Sequence, residues 1–517
     1  MFPLVWIIAT AVAARAWLLF RTPYVPGING AYYLVQARAL LDRGVLGIPD
    51  MPLTFHLHAS VTWALMHLTH LSQSEAIVWA VKGCDAVLPP QVAWPVFVLM
   101  RRWARARGHG DAGPLAAAAL ACLASPWLLI VGELQKNSLA LVWLALLVTT
   151  LHTWLGAPTT RRGLAVLASL WLLGLTHIGV LGAALVLLAA VMLVCIARHE
   201  RAADWRHALP WVAAGVMLLA ATSAWVMLKY DPSRIHRLMT ALSNPAAFSA
   251  DGKRGPTPPG GAMHLAQWGS WLAFALTVTP ALVVAGRGRA TLPTADVAIA
   301  AGGALTVLVL TGPWFGPDKA MRFSLIALLP AIMVGAFALL HVSTAWVRRT
   351  LLGAALLIGV GSTAVYLPQG GQAALRATAM QELQGLASSI ANPERTLVVA
   401  PHGTEWWSAW FLHTRIAQPD AVRADDWARY ERVLFLVVKP GAQVEMLGRG
   451  PPPPAGARPS LGGDAPALPA GGGTPPRREA PIPADAEVLH DGVSLKLVRV
   501  ATPPEFVRHG TARSALP

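Results

Sequence analysis

The residues of this chain that can move a proton or hold a phosphate collect on one side of a membrane-like pattern. They are Asn29, Asp50, Glu133, Lys136, Asn137, His177, Lys319 and Arg322, with Asp42, His56, His58, Asp231, Arg234, His236 and Asp318 around them. A carboxylate such as Asp50 or Glu133 can take a proton from a hydroxyl. Lys136, Lys319 and Arg322 can stabilise charge on a leaving phosphate, the arginine through its fork of donors. Such groups are expensive at bilayer depth, so their gathering implies a water-lined cavity.

Each also has a purely structural role open to it. Gly30 to Leu41 has helical spacing, with Tyr33, Leu34, Ala37, Leu40 and Leu41 on one face and Gln36 and Arg38 on the other. Asn29 is then the N-cap of that helix, where an amide serves as well as a carboxylate. Glu133 and Lys136 either pair within their short turn or serve a site. His177 is an interfacial histidine or a functional one. Arg322 is an interface anchor or a phosphate ligand. The segment His402-Gly-Thr-Glu405-Trp406-Trp407-Ser-Ala-Trp410-Phe411 either packs a core and a membrane surface, or offers aromatic platforms to a sugar or lipid headgroup. The histidines at 56, 58, 67 and 70 match no metal-ligand template, so no metal site is assigned and a divalent metal has no support.

The elements that must carry these residues are mostly membrane helices. Of the 517 residues 55% are hydrophobic and only 13% charged, where soluble domains carry about 25% charged residues. The mean hydropathy is +0.50. Segments long enough to cross, about 20 apolar residues each, fall near 2–20, 80–100, 114–131, 138–155, 163–178, 180–197, 209–228, 268–285, 295–311, 323–341 and 350–367. The first reads as a retained span rather than a cleaved signal, because no Lys or Arg precedes its apolar run. The basic stretches at 101–107, 161–162, 198–206, 287–289 and 348–349 all fall on one side of this pattern, and that side is cytoplasmic by the positive-inside rule. The N-terminus is then inside. The segments 21–79, 132–137, 229–267 and 312–322, and everything after 367, are outside.

The net charge of +15 fits this bias and attraction to anionic membrane lipid. It does not indicate nucleic acid, because the arginines are scattered over short loops. Cys84, Cys122 and Cys195 lie in apolar segments and read as small hydrophobes. Leu53 to Leu71 is apolar but rich in histidine, and reads as an interfacial or re-entrant helix. Lys82 and Asp85, three residues apart in the next span, are expected to face and neutralise each other.

After Pro368 the pattern changes. A helix at 372–390, a strand at 396–400, a helix at 405–413 and a strand at 433–438 suggest a small α/β unit. Residues 449–484 are dominated by Pro, Gly and Ala and read as a disordered loop. Residues 486–500 read as a hairpin that rejoins the sheet. The fold class is therefore mainly α: a polytopic transmembrane bundle of about eleven spans over residues 1–367, with outer loop 21–79, and a small extracytoplasmic α/β domain over 368–517.

In the order of these features the chain resembles the C-type membrane glycosyltransferases, which include protein O-mannosyltransferases and the aminoarabinose transferase of lipid A. A first span leads to Asn29-Gly-Ala-Tyr32-Tyr33 and the helix end Ala37-Arg38-Ala-Leu-Leu-Asp-Arg-Gly44. Pro49-Asp50-Met-Pro52-Leu53 opens another helix, Arg101-Arg102 closes a span, and Ser125-Pro126-Trp127 precedes the acidic turn at Glu133. The similarity covers roughly residues 1–200, and later spans by topology only. It implies sugar transfer on the outer side of the membrane, bacterial inner membrane and periplasm, from a polyprenyl-phosphate donor to an acceptor whose identity it leaves open. It places a catalytic aspartate where this chain has Asn29, a second acidic residue near Glu133, and donor-phosphate contacts near Lys319 and Arg322. Since an amide accepts no proton, Asp50 or Glu133 must then be the base, with Tyr33, Lys136, Asn137 and His177 lining the substrate site. Two other readings use the same residues: a transporter or flippase of an amphiphilic substrate, and a non-catalytic relative that binds lipid-linked sugar.

Overall fold

The computed structural model describes residues 2–198, 292–442 and 486–501, apart from 313, 314, 316, 369, 420, 423 and 440, together with a few helical positions between 217 and 229. Most of the expected span 209–228, all of 268–285, the outer residues Asp231, Arg234 and His236, the basic stretches after Arg198, and the loop 449–484 lie outside the described residues. The chain forms two compact units. One comprises residues 1–27 and 36–372. The other comprises 28–35 and 373–517.

The first unit is helical. Its helices are α1 (Phe2–Phe20), the later part of α2 (Gly30–Arg43), α3 (Leu53–Leu68), α4 (Gln73–Val87), α5 (Ala93–Arg105), α6 (Ala112–Leu123), α7 (Ser125–Leu129), α8 (Gln135–Gly156), α9 (Thr160–Thr176) and α10 (Ile178–Ala197). Among the described residues three more follow: α11 (Thr294–Thr311), α12 (Pro317–Leu339) and α13 (Ala345–Tyr366). Eight helical segments among the described residues are long and apolar enough to cross a membrane. One of them runs from Gln73 to Arg105, through α4, the turn after it and α5. It starts at a capping box, in which Ser72 and Glu75 satisfy each other's backbone N–H groups. It tightens to a 3-10 turn at Pro89–Val92, where two prolines lack the N–H that an α-helical turn needs.

Small residues set the helix packing. In α6 Ala116, Ala117, Ala118, Ala119 and Ala121 are all buried. Short side chains let helices approach closely, which matters where lipid offers no hydrophobic driving force between them. Polar groups are buried too. Gln36, expected on the polar face of α2, is fully buried. Its amide donates to the Ile48 carbonyl (2.7 Å) and accepts from the Ile48 N–H (3.0 Å). The chain after α2 turns back over the helix, and this clasp holds the turn closed.

The second unit is a five-stranded sheet with helices α14 (Ala377–Gly385), α15 (Glu405–Leu412) and α16 (Ala424–Arg429). Its strands are β1 (Thr396–Val399), β2 (Arg415–Ala417), β3 (Arg432–Val438), β4 (Glu487–Asp491) and β5 (Leu495–Arg499), in the order β2-β1-β3-β5-β4. β1 pairs in parallel with both β2 and β3, and the hairpin β4–β5 adds antiparallel to β3. β1 is buried along its whole length, as a central parallel strand must be.

Candidate functional site

A buried ion pair organises one end of the helical unit. Arg15, the single charge inside α1, is 2% exposed. Its Nη2 lies 2.5 Å from Asp85 Oδ1, its Nε donates to the Asp85 carbonyl (2.7 Å), and its Nη1 donates to the Trp127 carbonyl (3.1 Å). The other Asp85 oxygen accepts from the Gly132 N–H at 2.7 Å. One arginine and one aspartate thus tie α1 and α4 to the turn between α7 and α8. The expected Lys82–Asp85 pair does not form. Lys82 instead donates to the Thr22 carbonyl (2.7 Å) and sits over the Phe20 ring. Asp85 turns away from it because Arg15 offers two donors in one plane, whereas an ammonium is a point charge.

That turn presents Glu133. Gly132 has φ +76°, and a side chain there would meet the Pro26 carbonyl. Gly27 has φ +92°, and a side chain there would meet the Glu133 carboxylate. Two glycines therefore bring the turn and the segment at Pro26–Gly27 into backbone contact, with Glu133 lying on Gly27. The residues that follow enter α8. From Ile130 to Val142 every residue is buried except Glu133 and Lys136.

Lys136 is fixed by Asp50, with an ion pair from its Nζ to Asp50 Oδ2. Asp50 is 4% exposed, and its Oδ1 accepts from the Met51 N–H at 2.7 Å. Both Asp50 oxygens are therefore engaged, one by a backbone N–H and one by the Lys136 cation. Lys136 also lies over the Phe55 ring. Nearby on α3, His58 is buried, and burial pushes its pKa down to about 3, so the ring is neutral.

The other candidates separate. Asn137 is buried on α8. His177 breaks the chain between α9 and α10 and caps α10, its Nδ1 accepting from the Val180 N–H at 3.2 Å. Arg322 is exposed on α12, and the Lys319 side chain lies outside the described residues. Asn29 and Tyr33 belong to the second unit. Asn29 directly precedes α2, and its carbonyl accepts from the Tyr32 N–H at 3.0 Å. The structure thus brings Asp50 and Lys136 into contact and sets Glu133 in the turn just before α8, whereas Asn29 belongs to the other unit.

Arg15 was missed from sequence. The available signal was a lone charge within an apolar span, which demands a partner. A second missed cluster surrounds Asp296. It accepts from Trp103 Nε1 (2.8 Å) and His152 Nε2 (2.7 Å), with Arg107 Nη2 at 3.5 Å. Asp296 stands 193 residues from Trp103 and 144 from His152, so no local spacing announces it. Among the described residues no group of three His, Cys, Asp or Glu side chains is arranged to hold a metal ion. No family model matches this chain, and no curated protein matches it.

Proposed function

We propose that this chain is an integral membrane glycosyltransferase that moves a sugar from a polyprenyl-phosphate donor to an acceptor on the outer side. It has about eleven spans, a cytoplasmic N-terminus and an extracytoplasmic C-terminal domain. The observation that carries the reading is the placement of Glu133 and Lys136. A carboxylate in the turn before α8 and a cation in the first turn of that helix are the residues left partly exposed in a segment that is otherwise buried from Ile130 to Val142. They are held from behind by two ion pairs. Preorganisation of this kind is what charge development in a transfer step requires.

In this reading Glu133 takes the proton from the acceptor hydroxyl. The acceptor oxygen bonds to the sugar C1 as the C1–O bond to phosphate breaks, and the phosphate leaves with the electron pair. Lys136, pinned by Asp50, is ordered before the donor arrives and faces the departing phosphate. Asn29 then keeps the start of α2 in place without serving as base. Lys82 and Asp85 are the charges that would favour a transport pathway. Both are taken up by partners within the bundle, so nothing specific favours transport.

The test is transfer of radiolabelled sugar from polyprenyl-phosphate donors in membranes carrying single variants. Glu133→Gln is expected to lower transfer by about 10²–10⁴-fold, the usual effect of losing a general base. Asp50→Asn, which loosens Lys136, is expected to cost less. Unchanged transfer in both variants would overturn the assignment.

A further inference from the structure

In the second unit, a group of polar and aromatic side chains follows the carboxyl ends of two parallel strands. β1 lies between β2 and β3, parallel to both. The chain leaves β1 through α15 toward β2. The carboxyl ends of parallel strands are the usual ligand position in open α/β sheets.

The residues at these strand ends are held in place. Glu405, at the start of α15, is 2% exposed. Its Oε1 accepts from the His402 ring Nδ1 at 2.7 Å and from Gln418 Nε2 at 3.0 Å. Its Oε2 accepts from the Gly403 N–H. His402 follows β1 and Gln418 follows β2, so one buried carboxylate orients both side chains and keeps the His402 proton on Nδ1. What this leaves for a ligand is His402 Nε2 and the Gln418 side-chain oxygen. The His402 side chain is 48% exposed. Thr404 adds a hydroxyl that is buried with no hydrogen-bond partner. Beside this lies an aromatic pair. Trp406 meets Tyr32 edge to face at 4.8 Å between ring centres, and both are partly exposed. Tyr32 is present because residues 28–35 belong to this unit.

The chemistry selects the ligand. A phosphate or carboxylate is disfavoured, because Glu405 already occupies the Gly403 N–H at the start of α15 and carries the same charge. Acceptors next to an aromatic pair suit hydroxyl donors on a ring with apolar C–H faces. We infer that the second unit binds a neutral sugar at the carboxyl end of β1, its hydroxyls read by His402 and Gln418 and its ring covered by Trp406 and Tyr32. Glu405 is the positioning residue behind them. This goes beyond the proposed transfer reaction and does not need it.

The experiment is saturation-transfer NMR on the full chain in lipid nanodiscs. The probes are the methyl glycosides of mannose, glucose, galactose and N-acetylglucosamine, with inorganic phosphate as competitor. At least one glycoside is expected to receive saturation, and phosphate is expected not to displace it. Gln418→Ala and Trp406→Ala alter partly exposed positions and are each expected to weaken binding about fivefold to tenfold. Glu405→Gln keeps the shape and is expected to weaken binding by misorienting His402, with rescue absent in the double variant Glu405→Gln, His402→Ala. No transfer to any of the four glycosides, equal transfer in the Gln418 and Trp406 variants, or displacement by phosphate would each overturn the proposal. No donor lipid is used, so failure here leaves the Glu133 result standing, and failure at Glu133 leaves this result standing.

Discussion

The two ends of α8 hold buried carboxylates used in opposite ways. Lys136 and His152 are 16 residues apart on that helix, about 24 Å along its axis. At the His152 end, Asp296 is 6% exposed and surrounded by Trp103, His152 and Arg107. Arg107 in turn donates to His341 (3.1 Å) and lies over the Phe337 ring. Donors from α5, α8 and the segment after α5 converge on the start of α11, with α12 drawn in behind. At the Lys136 end, the buried carboxylates Asp85 and Asp50 hold cations, and a third carboxylate, Glu133, stays accessible. A fully enclosed network fixes helix positions. A network with one accessible member also presents that member. The difference separates a lock from a site, although both read as "charge in a membrane span" in the sequence.

The contrast breaks most sharply at Asp85. Asp85→Ala leaves the Arg15 guanidinium buried without its counter-charge, and such losses cost about 3–5 kcal/mol. Thermal unfolding in detergent is expected to show this as the largest loss of stability among single variants at these sites. Replacing both partners, Arg15→Leu with Asp85→Leu, removes the stranded charge and is expected to recover most of that stability. Transfer is expected to stay low in the double variant, because Gly132 loses its acceptor and the turn bearing Glu133 is no longer anchored. Full transfer in a stable double variant would show that the pair serves folding alone.

Asp296 is expected to behave differently. Asp296→Asn keeps the shape but weakens the bonds from His152 and Arg107, and the expected loss is about 1–3 kcal/mol. Transfer per folded molecule is expected to stay unchanged, measured after correcting for the folded fraction. A drop in that corrected rate would make this end part of the mechanism and erase the contrast.

How much of this was legible depended on the range of the interaction. Helices lie at nine of the expected spans, because a run of apolar residues is a local property. The strands β1, β3, β4 and β5 were visible for the same reason. β2 has only three residues, Arg415–Ala417, too few for an alternating pattern. Partners were the blind spot. Asp85 stands three residues from Lys82, and sequence spacing favoured that cation. Its actual partner, Arg15, is 70 residues away. Gln36 looked solvent-facing because glutamine is polar, yet a turn twelve residues on both donates to its amide and accepts from it. The Trp-rich segment was noticed for its aromatics. Its order around Glu405 needs Gln418 from another strand and Tyr32 from the distant start of α2, and neither is implied by composition.

The second unit repeats the contrast on a smaller scale. Glu405 positions two outward groups, whereas Glu382 on α14 is consumed. Glu382 accepts from the N–H groups of Ser494 (2.8 Å) and Leu495 (3.1 Å) and from the His490 ring (2.9 Å). Burial tends to raise its pKa, but these hydrogen bonds outweigh burial and hold it below the ordinary value of 4.5. A carboxyl depressed in the folded state contributes stability that is present above its unfolded pKa. That contribution is lost as pH falls from about 4.5 through the lower folded value. The expectation is that hydrogen exchange of the Leu495–Arg499 amides, corrected for intrinsic rate, shows loss of protection across that acid window. Glu382→Gln replaces charged bonds with neutral ones and is expected to cost about 1 kcal/mol near neutral pH. It should also flatten the acid loss, since the variant has no carboxyl to protonate. A variant that keeps the full acid dependence would place the titrating group elsewhere, and Glu382 would then no longer count as the lock of this unit.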